Sequence, residues 1–364
     1  MAERDHPQKR SLFDLRRREF LKSVGMIGAG VALTDLLRHS DDSVEAEILQ
    51  QDVAIAATIS GEIPRRQLGQ TGVEVSAIAL GGAHIGDVKS EQAAIGIIQE
   101  ALDAGITFMD NAWEYHQGRS EQIMGKALQG RRDQAFLMTK VCTHGRDRKV
   151  AMQQLEQSLR RLKTDYIDLW QVHEVIYDND PDLHFAKGGV IEALDQAKRE
   201  GKVRFVGFTG HKDPAIHLKM LAYNYPFDTC QLPLNCLDAS FRSFEKQVLP
   251  ELNKRGIAAI GMKSLGGGGE PVKKGVITAT EALRYAMSLP VATTVSGIDS
   301  LQVLRQNLSI AKNFKPMSGE EMQALRTRYA RYAADGRFEL YKTSKKYDGK
   351  PGREQHGFPS ELAV

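Results

Sequence analysis

Cysteine is scarce in this chain. Cys142, Cys230 and Cys236 are its three, too few and too irregularly spaced for a disulfide framework or a CxxC metal site, and each reads as a small buried hydrophobe. A charge excess of one sign is also lacking: 49 lysines and arginines face 46 acidic residues, and the net charge of +3 is spread without a basic block through the body, which excludes nucleic acid as a partner. No apolar run reaches the roughly 20 residues that span a bilayer. What is present is 364 residues with 41% hydrophobic content, enough for the core of one large domain and incompatible with a disordered or collagen-like chain.

The first 57 residues differ from the rest. Arg17-Arg18-Glu19-Phe20-Leu21-Lys22 precedes a short apolar, glycine-rich run from Ser23 to Leu33, and an acidic, alanine-rich stretch follows. A charged region, a short apolar region and small residues make a signal peptide, and the paired arginines resemble the twin-arginine (Tat) export signal, whose pathway carries folded proteins. The expected partner is the twin-arginine export machinery and the expected location periplasmic or otherwise outside the cytoplasm. Cleavage after Ala46 or after Ala56 fits equally. Gly25, Gly28 and Gly30 imitate a dinucleotide loop, but no strand precedes them and their order is wrong for that fingerprint.

From about residue 58 the chain reads as one α/β domain. Short apolar or β-branched runs at 77–82, 107–112, 135–141, 167–174, 203–209, 229–235, 258–265 and 292–298 alternate with segments of helical period, such as 90–104, 150–162, 190–200 and 301–313. Eight βα units without a proline- or serine-rich linker predict a closed (β/α)8 TIM barrel. Residues 66–76 predict a β-hairpin turning between Gly69 and Gly72. A long polar loop is expected at 175–189, a glycine-rich loop at Gly266–Gly269, and beyond about 315 one helix followed by an irregular tail rich in lysine, tyrosine and glycine.

Functional side chains of such a barrel gather at the carboxyl ends of its strands. The second, third and fourth runs end in Asp110, Lys140 and His173, and Tyr115 follows the second. A carbonyl receiving hydride needs a proton, and a phenol is a poor donor near neutral pH unless a neighbouring ammonium lowers its pKa. Asp110 would hold Lys140 charged and in place, Tyr115 would be the general acid in reduction and the base in alcohol oxidation, and His173 would orient the substrate oxygen or pass a proton.

These residues and their flanks resemble the aldo-keto reductase superfamily from about Arg65 to at least Asn307. The matching motifs are Asp110-Asn111-Ala112-Trp113-Glu114-Tyr115 with Gly118-Arg119-Ser120-Glu121 after it, Thr139-Lys140-Val141, Gln171-Val172-His173, and Arg204-Phe205-Val206-Gly207-Phe208-Thr209. The resemblance implies a catalytic tetrad of Asp110, Tyr115, Lys140 and His173, and an NADP(H) site, with NAD(H) as the alternative, over Gly82, Thr209, Gln231, Met262, Lys263, Leu265, Gly267 and Asn307. Met262-Lys263-Ser264-Leu265 stands where many members carry Tyr-Ser-Pro-Leu, and Thr209-Gly210 replaces the usual Ser-Asn pair. Near the adenosine end, Asp299 and Ser300 stand without the cation that often meets a 2′-phosphate.

The polar residues His84, Trp113 and His116, with the loop around 178–184, point to a sugar or other polyol as the carbonyl or alcohol substrate. A rival reading is a metal-dependent barrel hydrolase or sugar isomerase with ligands drawn from His84, Asp110, His116, His173, Glu174 and His211. Against it, Lys140 beside Tyr115 would repel the metal, so no metal is expected. Export separates the protein from the cytoplasmic nicotinamide pool, which is reconciled if cofactor binds before export and is recycled while bound.

Overall fold

A computed structural model of the chain describes residues 61–142 and 146–359. The chain divides into two units, Met1–Ser60 and Gly61–Val364. The twin-arginine motif and its cleavage sites lie outside the described residues.

The second unit is the expected barrel. After a hairpin of β1 (Arg65–Gln67) and β2 (Glu74–Ser76), eight strands follow: β3 (Ile78–Gly81), β4 (Phe108–Asp110), β5 (Phe136–Cys142), β6 (Ile167–His173), β7 (Val203–Thr209), β8 (Thr229–Pro233), β9 (Ala258–Met262) and β10 (Thr293–Gly297). They close in the order β10-β3-β4-β5-β6-β7-β8-β9, every pair parallel. Helices between them bury one apolar stripe each. In Arg148–Leu162, Ala151, Leu155, Leu159 and Leu162 face the sheet, and Asp147 caps the first turn through Lys149 N and Val150 N. Inside the sheet a separate cluster that includes Ala79, Phe108, Met138, Leu169, Ile260 and Val295 fills the barrel, and Leu68 and Val75 of the hairpin pack into it.

Several predicted strands run one to three residues past the observed ends, and backbone sign explains two of them. Glu174 and Lys263 adopt φ of 55°, the left-handed region, which halts β6 at His173 and β9 at Met262. Gly82 likewise leaves the strand and opens a short helix, Gly82–Asp87. The 175–189 segment is not a free polar loop: it contains a helix, Asp180–Phe185, and Asp180 accepts from Ile176 N and Tyr177 N, both at 2.9 Å.

The larger correction concerns the tail. After Gly319–Ala333 come two further short helices, Leu340–Thr343 and Lys350–Gln355, and the segment joining them is packed on the carboxyl ends of the strands. Lys342 is fully buried, with Nζ 2.6 Å from Asp238, 2.8 Å from Glu339 and 2.7 Å from the Phe241 carbonyl. Tyr341 donates to Glu339 at 2.6 Å and accepts from Asn235 at 2.9 Å. Asp348 accepts from Lys212 at 2.6 Å, and the Tyr177 and His356 rings meet with centroids 3.8 Å apart, tilted by 32°. Among the described residues no helix is long and apolar enough to cross a membrane.

Replacing Lys342 by methionine strands two buried carboxyl groups, so a loss of about 3–5 kcal/mol is expected in urea unfolding, with new proteolytic cleavage between residues 335 and 350. A second expectation follows from two histidines that burial keeps uncharged, His211 at about 3 and His217 at about 4. The unfolded chain protonates both near 6.5. It therefore binds more protons than the folded chain below that pH, and stability falls as pH is lowered from 6.5 toward 4. His217 packs among Phe208 and Phe244; His217→Phe is expected to remove about 1.4 kcal/mol per pH unit from that slope, read as urea midpoints between about pH 4.5 and 6.

Candidate active site

Strand alternation assembles the polar mouth. Along β4, Phe108 and Asp110 share a face; along β5, Met138 and Lys140; along β6, Leu169, Gln171 and His173. Since Phe108, Met138 and Leu169 belong to the cluster inside the barrel, the residues two and four further along point into the same enclosure at its carboxyl end. Register completes the placement, with Lys140 opposite Gln171 and Cys142 opposite His173.

Lys140 is 1% exposed and its ammonium is surrounded by acceptors. It donates to Asp110 in a short ion pair and to the Asn111 carbonyl at 2.7 Å, and lies 3.4 Å from the Tyr115 hydroxyl. Burial lowers its pKa and Asp110 opposes that shift. Tyr115 reaches the cluster because the chain turns sharply after it: His116 and Gln117 are left-handed at φ 50° and 56°, and Gly118 follows at 91°. The Arg161 guanidinium lies where a Cβ on Gly118 would be, donating at 2.9 Å to the Trp113 carbonyl and at 3.1 Å to Glu121. Glu121 accepts from Thr139 at 2.7 Å, and Ser120 donates to the Gly82 carbonyl at 2.7 Å. The Gly-Arg-Ser-Glu motif thus holds the loop that presents Tyr115.

One expectation is reversed. Tyr115 has its pKa raised well above that of a free phenol, by burial first and then by Asp110, Glu114 and Glu174. One ammonium does not outweigh desolvation and three carboxyl groups.

Two of those carboxyl groups went unremarked as a pair. Glu114 Oε1 lies 2.8 Å from His173 Nδ1, and its Oε2 accepts from Cys142 Sγ at 3.4 Å. Glu174 is buried and accepts from Gly349 N of the tail at 2.7 Å; burial and then Glu114 push its pKa well up. Both sit one residue from a tetrad position, Glu114 within the Tyr115 motif and Glu174 just past His173.

The dinucleotide candidates fall into three groups. Thr209 is buried at the end of β7, and Gln231 on β8 accepts from Gln171 at 3.1 Å. Gly82 lets β4 approach, since a Cβ there would collide with the Asp110 carbonyl. Around the glycine loop, Met262 and Leu265 are half-buried, and the Lys263 ammonium lies 5.4 and 4.9 Å from the Tyr341 and Tyr347 ring centres, with its pKa lowered by burial to about 8. Gly266, Gly267 and Gly269 have positive φ, and Gly268 N donates to the Tyr347 hydroxyl at 3.1 Å. Apart from these, Asn307 donates to Ser296 at 3.0 Å, and Gln306 beside it in sequence lines an open hollow of about 390 Å³ with Thr278 and Val272.

The substrate candidates do not converge. Trp113 donates to Gln157 at 2.8 Å, on the helix outside the sheet, and His116 contacts the Ala83 carbonyl at 2.8 Å. His84 lies over Gly297. Nor does the rival metal set assemble: His211 faces Asp348 at 3.7 Å, and of the six only His173 and Glu174 come together, joined by Glu114, their ligand atoms within 4.8 Å of one another.

The Aldo/keto reductase family matches residues 77–274, which carry seven of the eight barrel strands. An uncharacterised oxidoreductase of Bacillus subtilis, YqkF, is 28% identical over 314 residues, covering 72% of this chain and 95% of that protein. Among solved structures, a holo-form aldo-keto reductase from Bacillus halodurans superposes with a TM-score of 0.63 at 26% identity, covering 73% of this chain and 96% of that one. An aldo/keto reductase from Klebsiella pneumoniae, solved with NADP and acetate, shares the fold with a TM-score of 0.60 at 21% identity, covering 74% and 96%. Barrel, strand-end residues and sequence match agree: the chain belongs to the Aldo/keto reductase family.

Proposed function

We propose that this chain is an NADP(H)-dependent oxidoreductase that reduces an aldehyde or ketone, or oxidises the matching alcohol, with Tyr115 exchanging the proton. The observation that carries the reading is the buried Lys140 ammonium, paired to Asp110 and 3.4 Å from the Tyr115 hydroxyl. A buried cation beside a phenol stabilises negative charge on that oxygen as it forms.

The residues fit a dinucleotide. The glycine loop turns a backbone amide, Gly268 N, toward an oxygen, that of Tyr347. The Lys263 ammonium supplies positive charge beside the loop, and the cavity next to Gln306 is large enough for a purine. Thr209, Gln231, Met262, Lys263, Leu265, Gly267 and Asn307 would hold the molecule, and Gly82 would let the strands beneath it approach. Bound, it would give or take the hydride. The Klebsiella relative's NADP supports the phosphorylated form.

Tyr115 keeps its proton through neutral pH, because burial and its acidic neighbours raise its pKa. In reduction it donates that proton to the nascent alkoxide, a far stronger base than phenolate, while Lys140 stabilises the phenolate left behind. In oxidation the same oxygen takes the proton back. His173, whose ring meets that of Tyr115 edge-on at 5.6 Å, borders the space where the reacting oxygen would lie.

We propose further that the protein is exported folded through the twin-arginine route with its dinucleotide aboard, on the strength of Arg17-Arg18-Glu19-Phe20-Leu21-Lys22. The tail over the glycine loop would retard loss of the cofactor.

The test is a carbonyl and sugar panel followed by NADPH absorbance, with NADH in parallel. Tyr115→Phe is expected to lower reduction by about 10²–10⁴-fold while NADPH binding, followed by fluorescence, is retained. Undiminished turnover in that variant would refute the assignment. Because the phenol is held above its ordinary pKa of about 10, kcat/KM for reduction is expected to stay level from about pH 6 to 7, below the range in which Lys263, at about 8, loses its charge; a fall centred between those values would contradict it.

A further inference from the structure

Consecutive residues of a strand point to opposite faces. His173 and Glu174 break that rule, because Glu174 is left-handed at φ 55°, and both side chains reach Glu114 in the loop after β4. One ring nitrogen of His173 and one carboxyl oxygen each from Glu114 and Glu174 lie within 4.8 Å of one another. A non-glycine residue held left-handed costs free energy, and such strain gathers where side chains converge on a ligand.

The set contains an atom with nothing to bind. The His173 side chain is 8% exposed, and its Nδ1 is buried without a hydrogen-bond partner among the described residues. Glu114 Oε1 is 2.8 Å from it but lacks hydrogen-bond geometry. One oxygen of Glu174 accepts from Gly349 N at 2.7 Å, and a carboxylate has a second to offer. Gly349 carries no side chain to crowd the pair: a Cβ there would stand 2.8 Å from Glu114 Oε2 and 3.1 Å from Glu174 Oε2. The Cys142 thiol borders the set, with Sγ 3.4 Å from Glu114 Oε2.

An imidazole nitrogen and two carboxyl oxygens, with a thiol beside them, are the donors of a borderline divalent ion, whereas calcium takes about 6–8 oxygens. Zinc sits about 2.0–2.2 Å from nitrogen or oxygen, which places neighbouring ligand atoms about 3–4 Å apart, so small side-chain rotations bring all three onto it. Lys140, whose charge argued against a metal at the strand ends, is already paired to Asp110. Beyond the reaction proposed above, the geometry points to a site for one zinc-class divalent cation, with His173 Nδ1, Glu114 and Glu174 as its ligands and Cys142 beside the fourth position.

The experiment is calorimetric titration of the full chain, cleared of metal with EDTA, with zinc chloride at neutral pH. One saturable zinc per chain is expected. Glu174→Gln, which keeps an acceptor for Gly349 N but loses the charge, is expected to weaken binding by at least about 100-fold. Glu114→Gln is expected to do the same and guards against a fold defect in the first variant; urea midpoints taken without zinc separate a lost site from a lost fold. Cobalt in place of zinc is expected to give visible d–d bands that both variants lose. Absence of saturable binding, a site that survives both substitutions, or displacement of zinc by an equal concentration of magnesium overturns the inference. Binding is read without cofactor or turnover, so an enzyme that reduces no carbonyl leaves the cation site standing, and a chain that binds no zinc leaves the proposed reaction standing.

Discussion

An ammonium group removed from water sets the terms for everything at the open end of this barrel. Lys140 is 1% exposed, and a cation so placed is tolerated only where acceptors surround it. Asp110 and the Asn111 carbonyl supply them, and both come from the next strand and the loop after it. The pairing therefore requires β4 beside β5, parallel and in register, which the closed sheet provides. Strand alternation does the rest, because a side chain two residues beyond a core position must point into the same enclosure.

The charges around that ammonium do not balance one for one. Asp110, Glu114 and Glu174 act on Lys140, and Lys263 adds a second cation. Burial penalises every ion present. The mouth meets this by raising the pKa of Glu174 and of Tyr115 and by drawing the Lys263 pKa down to about 8. Such mutual adjustment is the property of a cluster that responds to any new charge placed among it, which suits a site for a charged cofactor.

Much of this was legible in the sequence. Short apolar or β-branched runs separated by helical segments specify the eight strands, and the identities of Asp110, Lys140 and His173 at their ends specify what meets. Strand ends were less legible, because Glu174 and Lys263 turn left-handed without a glycine to announce it. The sign of the Tyr115 shift could not be read either, since it depends on how deeply the phenol is buried and on which carboxyl groups fold around it. The tail was the real omission. Its lysines and glycines imitate a solvated terminus, and the aromatics Phe338, Tyr341, Tyr347 and Phe358 in so polar a stretch hint that it has something to cover. Trp113 and His116 flank Tyr115 in the sequence; in the structure the left-handed turn sends His116 toward the Ala83 carbonyl, and the Trp113 indole donates to Gln157 of the outer helix layer.

The covered glycine loop has a kinetic consequence. With the Tyr347 hydroxyl on Gly268 N and Gly349 N on Glu174, a ligand bound at that loop would share its exit with a segment anchored by Lys342 at one end and by the contact of the Tyr177 and His356 rings at the other. Exchange of whatever lies beneath is then timed by how often that span detaches, a local opening with its own free energy, and not by the strength of contacts in the groove alone. A weakly held molecule can in this way have a long residence, as an object stays in a box whose latch is stiff.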